Sequence, residues 1–320
     1  MRKIMKEVSI VIPNWNGMKY LPNCLAALKN QDYQNFEIIV VDNGSEDESC
    51  AFLDESYPEI QVIALERNHG FCYAVNRGIQ ASQAKYVILL NNDTEAEKGF
   101  VREMVAGIKR YPLCFSGAAR MLQLYDKTKI DSAGDYYNAL GWAYSAGKDK
   151  LATRYLVERK VFAACAGAAI YRREVFEIIG YFDEKHFAYL EDIDIGYRAK
   201  VYGYTNRYFP KAVVYHAGSG VTGSRHNEFK VRYSSRNNVY LIYKNMPLWQ
   251  ILLNSPVLLL GFLTKLLFFA TKGLGVTYVR GIGNGVLLSF RGKKVKAPKG
   301  QEKNYLKIQQ ELWLNIFRYR

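Results

Sequence analysis

The sequence predicts an α/β protein: a mostly parallel sheet flanked by helices, followed by a helical, basic and apolar C-terminal extension. Three observations carry this reading. Short β-branched runs alternate with stretches of helical spacing up to about Leu90, the pattern of strands and crossover helices in a parallel sheet. Three of those runs end in amides and carboxylates. Charge is also split along the chain, since of the 30 acidic residues only Glu228, Glu302 and Glu311 lie beyond Asp194.

The first strand is expected at residues 7–13 (EVSIVIP), bounded by Pro and Asn. The basic residues before it are followed by too brief an apolar run for a signal peptide. Residues 36–42 (FEIIVVD), 61–65 and 85–90 (KYVILL) are runs of the same kind. Leu21, Leu25 and Leu28, then Ala74, Val75 and Ile79, mark helices between them. Residues 125–155 are rich in Gly, Asp, Ala, Tyr and Lys without period and predict a long loop or irregular hairpin, the usual material of lids and binding loops. A strand at 161–171 (VFAACAGAAIY) leads into a helix at 173–179. Beyond it come a loop holding Asp183, a helix from about 190 to 201, and short strands near Tyr208 and at 212–216. Residues 228–245 read as helix, 248–270 as a strongly apolar stretch, and a basic tail follows. The expected division is residues 1–220, an α/β domain, and residues 221–320, the extension.

At 320 residues with 49% hydrophobic and 14% aromatic content, a packed core is expected and disorder is not. Five widely spaced Cys without a C-x-x-C pair argue against a disulfide framework and a structural zinc site, and so for a reducing compartment. The net charge is +14, and from Lys272 onward eleven Lys or Arg face two Glu, a balance of +9 in the last 49 residues. Such asymmetry implies attraction to a polyanion. The tail lacks a groove-reading module, so an anionic membrane surface is expected as partner and nucleic acid is not.

The polar strand ends carry the candidate chemistry. Asp42 closes its strand before Asn43-Gly44-Ser45, where a carboxylate can accept the ring N–H of a pyrimidine base; it can equally belong to a turn, and Ser45 with Glu48 forms the pattern of a capping box. Arg67-Asn68-His69-Gly70 precedes a helix whose start suits a diphosphate. Asn91-Asn92-Asp93 follows LL as either a turn or a ligand site at the carboxyl end of a strand. Glu191, Asp192 and Asp194 open a helix, as dipole-favoured acids or as a general base. His216 ends a strand and beside Asp93 would suit Mg²⁺ or Mn²⁺.

VSIVIPNWNG, EIIVVDNGSEDES, RNHGFCYAVNRGI, LLNNDT and GAAIYRREVFEIIGYFDEKHFAYLEDIDIGYRAK with a following His stand in one order and spacing. Together they resemble the family 2 glycosyltransferases of the GT-A, Rossmann-like fold, and most of all the bacterial rhamnosyltransferase-type members. The resemblance covers about Val8 to Asn245. It implies that Asn91-Asn92-Asp93 stands at the D-x-D element with Asp93 as the metal carboxylate, its first Asp being Asn91 here. It implies donor-nucleotide contacts at Pro13, Asn14, Asn16, Asp42, Asn43, Arg67 and Asn92, and a late metal-shell histidine at His216. Asp192 matches the catalytic base, and Gly167 to Ala169 match the sugar-pocket wall, so Gly167, Ala168 and Glu191 are assigned to sugar or acceptor.

The implied activity is inverting, metal-dependent transfer with Mg²⁺ or Mn²⁺, from dTDP-rhamnose, to a saccharide or polyprenyl-linked acceptor in cell-surface polysaccharide synthesis. The competing readings are a UDP-hexose donor, or a non-catalytic nucleotide-binding scaffold of the same fold. The implied location is cytoplasmic, peripheral on the inner face of the cell membrane. Residues 248–270 are long enough to span, but Gln250, Asn254, Pro256 and Lys265 interrupt them. With Trp249, Trp313, Phe317, Tyr319, Arg318 and Arg320 nearby, an in-plane anchor is the favoured reading, beside a homo-oligomer contact or a true span.

Overall fold

The structure is a computed structural model that describes residues 5–218 and 226–318. The expected domain boundary near residue 220, and Tyr319 and Arg320, lie outside the described residues. In chain order the first half-sheet is β1 (Val8–Asn14), α1 (Leu21–Lys29), β2 (Phe36–Asp42), α2 (Ser49–Ser56), β3 (Gln61–Ala64), α3 (Phe71–Ala81) and β4 (Tyr86–Leu90). Next come β5 (Thr94–Ala96), α4 (Phe100–Lys109), β6 (Cys114–Gln123), β7 (Ile130–Ser132), β8 (Asp135–Tyr137), β9 (Ala143–Ser145) and β10 (Arg159–Val161). They are followed by β11 (Ala168–Arg172), α5 (Arg173–Ile179), a single turn at Glu184–His186, α6 (Glu191–Val201) and β12 (Thr205–His216). The extension is α7 (Glu228–Asn245), α8 (Leu248–Ala270), α9 (Gly275–Phe290) and α10 (Asn304–Phe317).

Among the described residues the main sheet has ten strands, in the order β10-β12-β6-β11-β4-β1-β2-β3, with β5 on β12 and β7 on β6. β1 pairs in parallel with β2 and β4, and β2 with β3, whereas β11 runs antiparallel between β4 and β6. The register ends Asn14 opposite Asp42 and Leu90 opposite Ala168, which aligns the polar strand ends on one edge.

Both faces of this sheet are covered, as the near-continuous apolar strands require. Val11, Ile39 and Val87 join Val75 and Ile79 of α3 in one core. Ile10, Ile12, Val40 and Ile88 join Leu25 and Leu28 of α1 and Phe100 of α4 in the other. Each such side chain contributes about 1.5–3 kcal/mol by leaving water.

Two strand expectations need correction. Residues 161–171 are not continuous: the chain leaves the sheet after Val161 and re-enters at Ala168, because a turn closed by Ala168 N–H to Cys165 C=O intervenes. The two short strands near Tyr208 and Val214 are one strand, β12, with a register shift between Phe209 and Val213 around Pro210. The aperiodic stretch before it contains the β8–β9 hairpin.

Helix α8 seats a narrow stripe on the rest of the protein: Gln250, Asn254, Leu258 and Gly261 are buried. The Trp142 indole donates to the Gly261 carbonyl at 3.1 Å, and a Cβ at Gly261 would overlap the Leu140 carbonyl. Gln250 and Asn254 therefore point inward, Lys265 is half-buried and Pro256 exposed, and Leu252, Leu253, Leu259, Leu260, Leu263 and Leu267 are exposed.

Candidate active site

Three strand ends meet through a chain of hydrogen bonds. The Asn92 amide donates to Asn14 Oδ1 at 2.7 Å, and Asn14 Nδ2 donates to Asp42 Oδ1 at 2.9 Å. A Cβ at Gly17 would overlap both amides, so glycine there lets the loop after β1 cross this cluster. Pro13, beside Asn14, is half-buried. Asp42 does not point away from Ser45: its Oδ2 accepts from the Ser45 N–H at 2.9 Å and its Oδ1 from the Ser45 hydroxyl at 2.6 Å. The Ser45–Glu48 capping box is accordingly not formed, and α2 begins at Ser49 without a side-chain cap. Asn16, at φ 48°, holds the same turn by accepting from the Glu46 N–H at 2.8 Å.

The diphosphate expectation for the start of α3 is corrected by its own hydrogen bonds. The N–H of His69 is taken by Asn43 Oδ1, that of Gly70 by Asn68 Oδ1, and that of Cys72 by the Phe187 carbonyl. With those three donors occupied, the helix start offers an anion fewer N–H groups than its sequence suggests. Arg67 is exposed, its backbone packed against Gly44 at φ 74°.

Asp93 and His216 are brought together by β5, whose Thr94 pairs with His216. His216 Nε2 lies 3.2 Å from Asp93 Oδ1, and Nδ1 lies 2.9 Å from Asp131 Oδ2. Asp131 also pairs with Lys148. Burial works against the charged imidazole, but the hydrogen bonds to Asp131 and Asp93 outweigh it and push His216 up to about 9. A carboxylate on one imidazole nitrogen is the usual support of a histidine metal ligand, and a metal at Nε2 would take the place of the proton shared with Asp93. This donor set fits Mg²⁺ or Mn²⁺, which take few protein ligands when a diphosphate supplies the rest. Asp131 was not singled out by the sequence, because it sits in the aperiodic stretch where nothing distinguishes it.

Gly167 and Ala168 stand beside this cluster. The Gly167 carbonyl accepts from the Asn91 N–H at 2.9 Å, and a Cβ on Gly167 would lie 3.1 Å from Asn91 Nδ2. Turn chemistry persists at the same place, where the Thr94 hydroxyl donates to the Asn91 carbonyl at 2.7 Å.

At the start of α6 the three acids diverge, as their helical spacing requires. Ligand atoms of Asp192, Asp135 and Cys165 lie within 4.8 Å of one another. Asp135 sits at the base of the β8–β9 hairpin and its Oδ1 accepts from the Ser145 hydroxyl at 2.6 Å. Burial, then the charge of Asp192, hold the Asp135 carboxyl well above the usual range. Burial also raises Asp192, though the hydrogen bond from Asp135 works the other way. Glu191 is pushed up to about 8 by burial and by Asp192, and its Oε2 is buried without a hydrogen-bond partner. Burial thus raises all three carboxyls, while the Asp135 hydrogen bond works to lower Asp192, the kind of uneven pull that sets carboxyls in one cluster apart.

Asp194 faces the other way, fully buried, bonded to Arg198 Nε at 3.0 Å, Lys244 Nζ at 2.9 Å and Asn245 Nδ2 at 2.7 Å. The approach to α6 is strained, with Phe187, Tyr189 and Leu190 at φ 62°, 74° and 66°. Such conformations cost about 1–3 kcal/mol each for non-glycine residues. The Asn237 amide of α7 offsets this by donating to the carbonyls of His186, Ala188 and Tyr189 at 2.8–2.9 Å. Residues 131–135 join the two halves of the site, running from the partner of His216 to the partner of Asp192.

The sequence profile described as Glycosyl transferase family 2 matches residues 9–180. The N-acetylglucosaminyl-diphospho-decaprenol L-rhamnosyltransferase of Mycobacterium tuberculosis is 25% identical over 239 residues, 67% of this chain and 77% of that protein. Among solved structures, residues 1–349 of S. aureus TarS in complex with UDP-GlcNAc superpose with a TM-score of 0.58 at 16% identity, over 98% of this chain and 85% of that one. The mannosyltransferase PcManGT of Pyrobaculum calidifontis, in complex with GDP-Man and Mn²⁺, gives 0.54 at 15% identity, over 97% and 86%. At such identities the solved structures speak for the GT-A fold alone.

Proposed function

Because the chain belongs to glycosyl transferase family 2, we propose that it moves rhamnose, with inversion, from dTDP-rhamnose to a hydroxyl of a saccharide or polyprenyl-linked acceptor in cell-surface polysaccharide synthesis. The observation that carries the reading is the cluster at the start of α6, which sets ligand atoms of Asp192, Asp135 and Cys165 within 4.8 Å of one another. Asp192 takes the proton of the acceptor hydroxyl as that oxygen bonds to the anomeric carbon. The bond from that carbon to the diphosphate oxygen breaks, and the nucleoside diphosphate leaves. Asp135, whose carboxyl burial holds well above the usual range, hydrogen-bonds to Asp192 and holds it in place, and Glu191 is positioned to hydrogen-bond sugar or acceptor.

Pro13, Asn14, Asn16, Asp42, Asn43, Arg67 and Asn92 line the nucleotide edge in this reading, with Gly167 and Ala168 behind the sugar. Asp93 and His216 would hold a Mg²⁺ or Mn²⁺ ion, which when bound supplies positive charge to the diphosphate. The rhamnosyl preference leans on the mycobacterial relative, and a UDP-hexose is the runner-up donor.

Residues 221–320 seat the enzyme in the plane of an anionic membrane, on the cytoplasmic face. This leans on α8, which is long and apolar enough to cross a membrane yet buries Gln250 and Asn254 and exposes most of its leucines. Such inverted amphipathicity has no use in water.

A thermal-shift screen of nucleotide sugars, with and without Mn²⁺, tests the reading, since a bound donor stabilises the native state by mass action. dTDP-rhamnose with Mn²⁺ is expected to give the largest shift. Stabilisation without turnover on any acceptor would return the chain to a non-catalytic binder, and no shift with any nucleotide sugar would end the proposal.

A further inference from the structure

A cavity of about 780 Å³ lies between the turn of the β8–β9 hairpin and helices α7 and α8. Its wall includes Trp142, Tyr189, Leu190, Lys230, Lys265 and Lys272, and no carboxylate among the described residues lines it. Lys265 is half-buried on the apolar helix, its Nζ 6.0 Å from the Trp142 ring centroid. Lys272 Nζ lies 5.3 Å from the Phe268 ring centroid. Among the described residues no acid forms an ion pair with either lysine. Lys265, half-buried in a partly apolar wall, loses hydration that an anion would return, and Lys272 stands exposed at the rim.

Two further observations specify the anion. The exposed face of α8 beside the cavity carries Leu259, Leu260, Leu263 and Leu267, a surface for hydrocarbon rather than water. On the opposite wall Tyr189 and Leu190 run directly into Glu191 and Asp192. A ligand that fits all three is an anionic group with a long apolar chain on one side and a sugar on the other.

We infer that this cavity holds the diphosphate of a polyprenyl-diphosphate-linked acceptor, its isoprenoid chain lying along α8 and its sugar directed past Leu190 toward Asp192. The inference rests on the transferase reading above and states where that acceptor's head group sits. Lys265 and Lys272 bind the phosphate oxygens as donors of charge-assisted hydrogen bonds. The positive C-terminal half of the chain then has a specific task beside general attraction to anionic lipid.

The experiment uses the full chain and two sets of phosphatidylcholine vesicles matched in surface charge, one carrying polyprenyl diphosphate and the other phosphatidylglycerol. Tighter binding to the diphosphate lipid is expected. Lys265→Gln should cut that preference roughly tenfold, the loss of one charge-assisted hydrogen bond, with melting temperature and nucleotide binding unchanged. Lys272→Gln, at the end of α8, is the second variant should Lys265→Gln prove unstable, and the same loss is expected. Equal binding to both vesicle types, or a preference that survives both substitutions, overturns the inference. Free pyrophosphate that protects as well as the lipid, without vesicle preference, also overturns it. A preserved vesicle preference that Lys265→Gln abolishes, in a protein that binds no nucleotide sugar, would sink the transferase reading and leave this site standing.

Discussion

Asp135 and Asp192 bring their carboxyls together from unrelated elements, a hairpin strand and a helix start, with ligand atoms no more than 4.8 Å apart and the Cys165 sulfur alongside. Like charges so close cannot both be ionised in a buried place, so the pair keeps one proton. Asp135 is raised well above the usual range by burial and by the charge of Asp192, and its hydrogen bond works to lower Asp192. Asp192 is left as an acceptor with a donor behind it.

Replacing the base is the first test. Asp192→Asn should lower turnover by about 10²–10⁴-fold and leave donor affinity, measured by calorimetry, as it was. Glu191→Gln keeps a hydrogen-bonding amide and should lose far less. The reverse ranking would put the base one residue earlier and the helix in another rotation.

The pH profile separates Asp135 from a structural aspartate. Transfer needs Asp192 ionised, so activity falls as pH drops through its raised pKa. Asp135→Asn keeps an N–H donor toward Asp192 and should leave that acid limb in place. Asp135→Ala removes the donor, makes the carboxylate harder to ionise, and should move the limb to higher pH. A limb that moves to lower pH in Asp135→Ala would mean that Asp135 was the charged partner.

Asp131 reaches the donor site only through His216. Asp131→Asn should therefore weaken Mn²⁺ affinity about 10–100-fold, as loss of such a supporting carboxylate does, and leave metal-free nucleotide binding intact. Asp93→Ala should abolish transfer without unfolding the chain. Undiminished wild-type transfer in excess EDTA would contradict both expectations.

Asp194 makes an opposite prediction, since it faces away from the acceptor. Burial would raise its carboxyl, but Lys244 and Arg198 hold it far below the usual range. A group depressed in the folded state contributes stability that is present above its unfolded pKa, about 4, and is lost as pH falls toward the folded value. Asp194→Asn should cost about 3–5 kcal/mol in denaturant unfolding near neutral pH, because Lys244 and Arg198 are left buried. The difference between wild type and variant should shrink on acidification. A neutral-pH change below the error of the measurement would show that Lys244 re-pairs fully with Asp183, 2.8 Å away.

Flotation reads the membrane proposal. The chain should float with vesicles containing acidic lipid and detach as salt rises, each well-placed cation contributing about 1 kcal/mol. Salt-independent flotation on neutral vesicles would mark a helix that spans. No flotation, together with a dimer in solution, would give the exposed leucines to a second copy of the chain.

The sequence was most legible where periodicity is strict. β2, α5 and α7 begin and end where their apolar runs and caps do, and the polar ends of β1, β2 and β4 converge as an aligned parallel register demands. The Asp194–Arg198 pair follows from helical spacing alone. Asp131, Asp135 and Asn237 were illegible, because two lie in a stretch without period and the third looks like any amide on a polar helix face. The hydrophobic scale also hid something on α8. Gln250 and Asn254 look like interruptions in a membrane helix until the fold shows that they point at Tyr197, Tyr305, Gln309 and Trp313.

Those inward amides bear on how the protein can be handled. A worker troubled by the greasy surface would be tempted to cut the chain after Asn245 and keep the sheet. The cut would take α10 as well, whose Asn315 donates to the Tyr137 carbonyl at 2.8 Å and whose Leu312 carbonyl receives the Ala139 N–H at 3.0 Å. Both contacts brace the hairpin on which Asp135 stands. It would also leave the Tyr197 hydroxyl buried on α6 without Gln250 to receive its proton at 2.6 Å. The apolar end of this molecule is thus a buttress of its sheet, and a preparation with its acids in place has to keep the extension.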